Sequence, residues 1–144
     1  MWSCLFEGEE DEVFLRIAMV VMMLIVFVIP LLSACASGNE SASAKAVEDY
    51  LTALVEKDAN RLSTLSCGDW EDDALLELDS IQNVTARLEG MSCEQTGTEG
   101  STVLVHCSGK IILTYTDEDQ EIDLDPRTFE VVQEAGEWLV CGTR

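Results

Sequence analysis

The sequence predicts an α+β domain in which helices precede an antiparallel sheet of about four strands. Apolar residues recur at helical spacing between residues 44 and 80, and from Val84 onward they alternate with polar residues, which is the period of a strand. Turn-forming stretches separate the alternating segments, so consecutive strands are expected to pair. The chain has 144 residues, enough for one domain of this kind once its apolar N-terminus is set aside.

Three helices are predicted before residue 84. Asp58 is expected to cap a short second helix, and Asp69 a third helix that contains Leu75, Leu76 and Leu78. Trp70, at the start of the third, is expected to be a packing anchor. The first helix has one apolar face at positions i, i+3, i+4, i+7 and i+8, made of Val47, Tyr50, Leu51, Leu54 and Val55.

The strands are predicted from alternation and from the glycines that interrupt it. Alternation starts at Val84 and shifts by one residue near Gly90, which predicts a β-bulge there. A long strand over 103–115 is expected to bend at Gly109. Shorter strands follow around 122–124, 129–131 and 138–141, and the stretch "EAGE" is predicted to be the hairpin turn between the last two.

The first 34 residues have the order of a secretory signal peptide. Ile17–Leu32 carries no charge, Arg16 precedes it, and small residues follow it. The acidic stretch from Glu7 to Glu12 does not fit this pattern. The alternative is that translation starts at Val13, since the codons for Gly8 to Asp11 can contain a ribosome-binding sequence.

Leu32, Ser33, Ala34 and Cys35 end the apolar run with a specific motif. These four residues resemble the bacterial lipobox. The resemblance implies that the Cys35 thiol receives a diacylglyceryl group and that the chain is cut before Cys35, which would attach the protein to the extracytoplasmic face of the cell membrane. Residues 35–43 are then a lipidated flexible tether and 44–144 the domain. The alternative is an uncleaved membrane helix with a coincidental cysteine.

Two longer stretches carry a resemblance in fold. "AVEDYLTALVEKDANRLSTLSC" resembles the opening helices, and "GKIILTYTDEDQEIDLDPRTFEVVQEAGEWLVCG" the closing strands, of small bacterial lipoproteins with a cystatin-like or nuclear-transport-factor-2-like fold. The resemblance implies a curved sheet wrapped on the N-terminal helix as a cone. Most of those domains have no assigned activity, so the resemblance implies no reaction.

The four cysteines of the predicted domain indicate disulfides rather than a metal site. No C-x-x-C spacing occurs and the chain has one histidine, so zinc is not expected. Cys93 and Cys107 lie symmetrically about a turn near residue 100, on one face of the predicted hairpin, and are expected to bond. Cys67 and Cys141 are then left to pair, mainly by elimination.

Charge and the remaining polar residues exclude more functions than they suggest. Residues 1–34 hold five of the 28 acids and one of the eight bases, which leaves 23 acids, 7 bases and a net charge of −16. Such a domain repels nucleic acid. His106 is expected on the solvent face of its strand. Glu121, Asp123 and Asp125 are interpreted as a polar strand face rather than a calcium loop.

Two classes of function remain. The first is a non-catalytic binding or interaction module for an envelope protein or a small apolar ligand. The second is an enzyme of the isomerase or cyclase type that uses an acid in the cone's cavity. Tyr50 and Tyr115 are candidates to point inward, but no acid on an apolar face accompanies them. The sequence therefore favours the first class and predicts no catalytic residue, cofactor or metal.

Overall fold

Helices come first in the folded chain and a curved antiparallel sheet of five strands follows, as the α+β prediction requires. The structure is a computed structural model that describes residues 37–144. Within that range no helix is long and apolar enough to cross a membrane. The elements are α1 Ser37–Glu56, α2 Ala59–Thr64, α3 Glu71–Ser80, β1 Thr85–Glu99, β2 Thr102–Tyr115, β3 Glu118–Asp123, β4 Thr128–Glu134 and β5 Glu137–Thr143.

Helix α1 begins at Ser37, within the stretch 35–43 that composition predicts to be a tether. Alanine and serine are small enough to enter a helix at little cost, and alanine is the strongest helix former. The Ser43 side chain is fully buried, and its hydroxyl donates a hydrogen bond of 3.2 Å to the Gln95 side chain on β1. Contact with the sheet is therefore already made at Ser43, the last residue of the stretch whose composition predicts a linker.

The two predicted helix caps have different outcomes. Asp58 caps α2, since its side chain accepts a hydrogen bond of 3.0 Å from the Arg61 backbone N–H. Asp69 does not cap α3, whose N-cap residue is Trp70 and has no side-chain capping bond. The three acids in the first turn of α3 supply the negative charge that a helix N-terminus favours.

Strand β2 lies at the centre of the sheet. It pairs with β1 along its whole length, while its first half pairs with β4 and its second half with β3. The main path of the sheet is β1-β2-β4-β5, and β3 pairs with β2 off this path. The strand predicted around 122–124 is β3, but it starts earlier, because the acidic stretch after Tyr115 pairs with β2 from Glu118 onward.

The predicted bulge at Gly90 is confirmed. Glu89 pairs with Lys110 and Ser92 with Ser108, so Gly90 and Met91 together face Gly109. Gly90 and Gly109 have φ of 63° and 102°, values that favour glycine. A second register shift lies between Gln95 and Gly97, and β1 then continues to Glu99, next to the turn predicted near residue 100.

Side chains fill the space between α1 and the sheet. Tyr50 and Phe129 meet edge to face, with ring centroids 6.4 Å apart, and both are fully buried. Fully buried apolar side chains from α1, α2, three strands and the segment after β3 surround them, among them Val47, Leu51, Leu54, Leu62, Val105, Leu124, Val131 and Val140. These side chains form one apolar core between α1 and the sheet.

Two contacts lie at the outer sides of β5 and β1. Ser66 forms an isolated parallel bridge with Val140, in which the Cys67 N–H donates to the Val140 carbonyl and the Val140 N–H to the Leu65 carbonyl, each at 2.9 Å. On β1, the backbone N–H of Cys93 donates to the Glu48 carboxylate at 3.2 Å. Side chains and loop residues therefore satisfy backbone groups that the neighbouring strands do not reach.

Candidate functional site

An open recess of about 450 Å³ lies beside helix α3. Four of its residues, Asp73, Leu76, Glu77 and Ser80, follow the spacing i, i+3, i+4 and i+7, so they form one face of the helix. Ala74 and Leu78, which are buried, anchor another face in the core. We call this site the α3 recess, and its lining is completed by Trp70, Arg127 and Thr143.

A polar network joins the α3 recess to the core. The Trp70 indole N–H donates to the Tyr50 hydroxyl at 3.2 Å, and that hydroxyl donates to Glu77 Oε2 at 3.5 Å. Arg127 Nη1 donates to Glu77 Oε1 at 2.8 Å and forms an ion pair with it. The network therefore ties α1, α3 and the segment between β3 and β4 together.

The protonation of Tyr50 follows from its surroundings. Burial raises the pKa of the Tyr50 hydroxyl far above its ordinary value, and the negative charge of Glu77 raises it further. Tyr50 therefore keeps its proton at physiological pH and remains a donor to Glu77. Its hydroxyl acts as a fixed structural link in this network.

The expectation that no acid accompanies an inward-facing tyrosine is wrong, because Glu77 accompanies Tyr50. Glu77 comes from a different helix, 27 residues away, so alternation along the strands contains no signal for it. Glu77 lies about one turn after buried Ala74 and next to buried Leu78, and this position on the helix is a local signal that its side chain can approach the core. Tyr115 was expected to be a second inward candidate, but it is exposed.

The cysteines of the described chain form the two predicted pairs. Cys93 lies directly opposite Cys107 in the β1–β2 register, with Cα atoms 4.1 Å apart, and the two are joined by a disulfide. Cys67 is joined to Cys141, with Cα atoms 5.2 Å apart. The lipobox residues Leu32, Ser33, Ala34 and Cys35 lie outside the described residues.

The other polar candidates do not line the α3 recess. His106 pairs across the sheet with Glu94 and Thr128, and its Nε2 lies 4.0 Å from Asp125 Oδ1. Glu121, Asp123 and Asp125 are exposed as predicted, with Leu124 buried between them. Across residues 37–144, no group of three or more His, Cys, Asp or Glu side chains is arranged to hold a metal ion.

Comparison with known proteins finds solved structures of similar fold, but it does not assign the chain to a family. No protein-family model and no curated protein matches the chain. A SEC-C motif containing protein from Rhodopseudomonas palustris is 14% identical with a TM-score of 0.48, over 73% of this chain and 80% of the other. The helical cell shape determining protein Pgp2 from Campylobacter jejuni is 8% identical with a TM-score of 0.47, over 69% of this chain and 38% of that protein.

A substituted form of Rd1NTF2_05 is also similar. It is 12% identical with a TM-score of 0.43, over 69% of this chain and 92% of the other. All three TM-scores lie below 0.5, so these likenesses carry no argument about activity. The description of the fold rests on the element order and strand pairing of this chain.

Proposed function

We propose that this chain is a lipid-anchored bacterial lipoprotein on the extracytoplasmic face of the cell membrane, and that its domain is a non-catalytic binding or interaction module. The observation that carries the anchor is the lipobox-like Leu32-Ser33-Ala34-Cys35 at the end of an uncharged run. The two disulfides support export, because such bonds persist in oxidising compartments.

The packing of the domain favours binding at its surface. A small apolar ligand inside the cone would have to displace Tyr50, Leu51, Leu54 or Phe129, which are at most 1% exposed. The α3 recess, in contrast, is open and offers both apolar and charged side chains. An envelope protein is therefore the partner class that the structure favours over a small apolar ligand.

The pairing of Tyr50 with Glu77 is the one observation that favours an isomerase or cyclase. Both carboxylate oxygens of Glu77 are occupied, one by Arg127 and one by Tyr50, and Tyr50 itself is fully buried. A general acid or base needs an atom within hydrogen-bond reach of the substrate. Tyr50 has no exposed atom for that purpose, and Glu77 is held in place by Arg127 and Tyr50, so the non-catalytic proposal is preferred.

Replacing Cys35 tests the anchor. The full chain is expressed in a bacterium that processes lipoproteins and is labelled with radioactive palmitate. We expect the wild type to be cleaved, labelled and recovered with membranes, and Cys35→Ala to remain an unlabelled precursor. Cys4→Ala is the matched control and should behave as the wild type. Normal cleavage and labelling of Cys35→Ala would show that the lipobox interpretation is wrong.

Native mass spectrometry of the chain purified from its own host tests the binding part. We expect a polypeptide to be retained by the folded domain. Retention of a small apolar molecule would instead contradict surface binding, because the apolar side chains of the described interior are buried from solvent.

A further inference from the structure

Every cationic side chain between residues 37 and 144 already has an anionic or carbonyl partner. Seven such side chains occur there, and the α3 recess contains one of them, Arg127, which is paired with Glu77. The others are Lys45 with Asp49, Lys57 with the carbonyls of Gln82 and Val84, Arg61 with Asp49 and Glu56, Arg87 with Asp119, Lys110 with Glu121, and Arg144 with Glu99 and Glu130.

The carboxylates at α3 are left without such partners. Five side chains on or just before this helix make no hydrogen bond or ion pair with the described part of the chain, and the helix contains no base. A positive group brought to this surface is attracted by several carboxylates at once. The five are Asp69, Glu71, Asp72, Asp73 and Asp79.

Helix stability explains part of this charge and leaves one residue unexplained. Glu71, Asp72 and Asp73 lie in the first turn of α3, where negative charge interacts favourably with the helix dipole. Asp79 lies in the last turn, where a positive charge is favoured and where no base occurs. Its carboxylate therefore opposes the helix dipole, which points to a role outside the stability of α3.

Leu76 adds an apolar contact to the same surface. Its side chain is 68% exposed, while its neighbours Ala74 and Leu78 are buried. A single exposed leucine is ordinary in a folded protein. Leu76, however, lines the α3 recess together with Trp70 and Asp73, so an apolar surface lies next to an unpaired carboxylate. Binding surfaces for polypeptides combine these two features.

We infer that the α3 recess is a docking site for a partner polypeptide that presents a Lys or Arg side chain next to an apolar one. The apolar side chain would pack on Leu76 and Trp70, and the cation would face Asp73, with Asp72 and Asp79 of the same helix adding to the negative field. Nucleic acids and anionic lipid surfaces are repelled from the same carboxylates. This inference rests on the proposed binding function and names its surface and its class of partner.

Peptide binding to the full chain in a non-ionic detergent tests the site. The probe is a fluorescein-labelled heptapeptide of alternating Lys and Leu, measured by fluorescence anisotropy, with a Glu and Leu peptide of the same pattern as the negative probe. We expect only the Lys and Leu peptide to bind. Leu76→Ser should weaken its binding about tenfold, and the triple change Asp72→Asn, Asp73→Asn, Asp79→Asn roughly fivefold or more.

A second triple variant separates the site from general charge attraction. Glu94→Gln, Glu134→Gln and Glu137→Gln remove the same number of charges from exposed side chains that have no partner in the described chain, and should change binding less than about twofold. Equal weakening by both triple variants, or no binding of the Lys and Leu peptide, would overturn the inference. Palmitate labelling of Cys35 is independent of α3, so the anchor proposal would survive either result.

Discussion

Gly109 shows how one residue limits what the chain accepts. A Cβ atom placed there would lie 2.7 Å from the carbonyl carbon and oxygen of Gly90 and 2.8 Å from the Glu89 oxygen. All three are backbone atoms, so a side-chain rotation cannot relieve the contact. The φ of 102° adds strain for any residue with a Cβ. The bulge therefore requires glycine on the β2 side.

We predict that Gly109→Ala lowers the free energy of unfolding by about 2–4 kcal/mol, because overpacking and backbone strain add. Gly97→Ala is the matched control on the same pair of strands, since its Cβ would meet Leu104 Cδ1 at an ordinary 3.8 Å. It should cost about 1 kcal/mol or less. Urea denaturation of both variants measures the difference, and equal effects would contradict the clash.

Single residues also show what the sequence could predict at this scale. The inward position of Tyr50 and the cap at Asp58 follow from patterns within a few residues, and both are present. The partnership of Tyr50 with Glu77 and Arg127 joins three segments. Spacing along one helix or strand contains no information about such contacts, so the α3 recess could not be predicted.

Three strands are linked on the face of the sheet away from α1. Arg87 on β1 donates to Asp119 on β3 at 2.9 Å, and Thr114 on β2 donates to the same carboxylate at 2.6 Å. Arg87 and Glu121 face Ile112 from the two neighbouring strands, and Ile112 is only 2% exposed. The stems of long charged side chains therefore cover an apolar residue that would otherwise face water.

We predict that the Asp119 carboxyl titrates below its ordinary pKa of 3.8, chiefly because Arg87 and then Thr114 donate hydrogen bonds to its charged form. The link is thus complete above that pH and is lost as the pH falls through the lowered pKa. Carbon-detected NMR titration should show the pKa of Asp119 rising towards 3.8 in Arg87→Ala. Lys45→Ala, which removes an equal charge elsewhere, should leave it in place; an unchanged Asp119 in Arg87→Ala would contradict the link.

The order of the elements could be predicted more fully than their ends. Alternation with Gly90 and Gly109 locates the long hairpin and its bulge, since both signals are local. α1 begins at Ser37, within a stretch whose composition is typical of a linker, and the start of β3 at Glu118 is set by pairing of an acidic segment with the second half of β2. The ends of these elements depend on which segments pair with each other, and the amino-acid composition of a segment does not identify its pairing partner.

In the molecule as a whole, the two disulfides close loops of very different length. Cys93 and Cys107 are 14 residues apart in sequence, whereas Cys67 and Cys141 are 74 apart. In the chain-entropy description, a longer closed loop removes more freedom from the unfolded chain. The bond between Cys67 and Cys141 therefore spans most of the described domain and should contribute more to its stability.

We predict that Cys67→Ala with Cys141→Ala lowers the free energy of unfolding by about 4.5 kcal/mol, and Cys93→Ala with Cys107→Ala by about 3 kcal/mol. Each pair has one buried and one half-buried member, so cavity effects are similar. Denaturation in non-reducing buffer measures both, and reduction with dithiothreitol should remove the difference between the wild type and each variant. Equal losses or the reverse order would contradict the loop-length argument.

The contacts at the outer sides of β1 and β5 affect how easily the sheets of neighbouring copies can pair with each other. Sheets that end in bare strands invite a neighbouring copy to continue the hydrogen-bonded ladder, which leads to aggregation. Here Leu65 and Cys67 occupy part of the β5 edge, and the Glu48 carboxylate occupies the Cys93 N–H on β1. If the chain is lipid-anchored as proposed, copies would be concentrated in two dimensions, and these contacts would leave fewer backbone groups free to pair with a neighbouring copy.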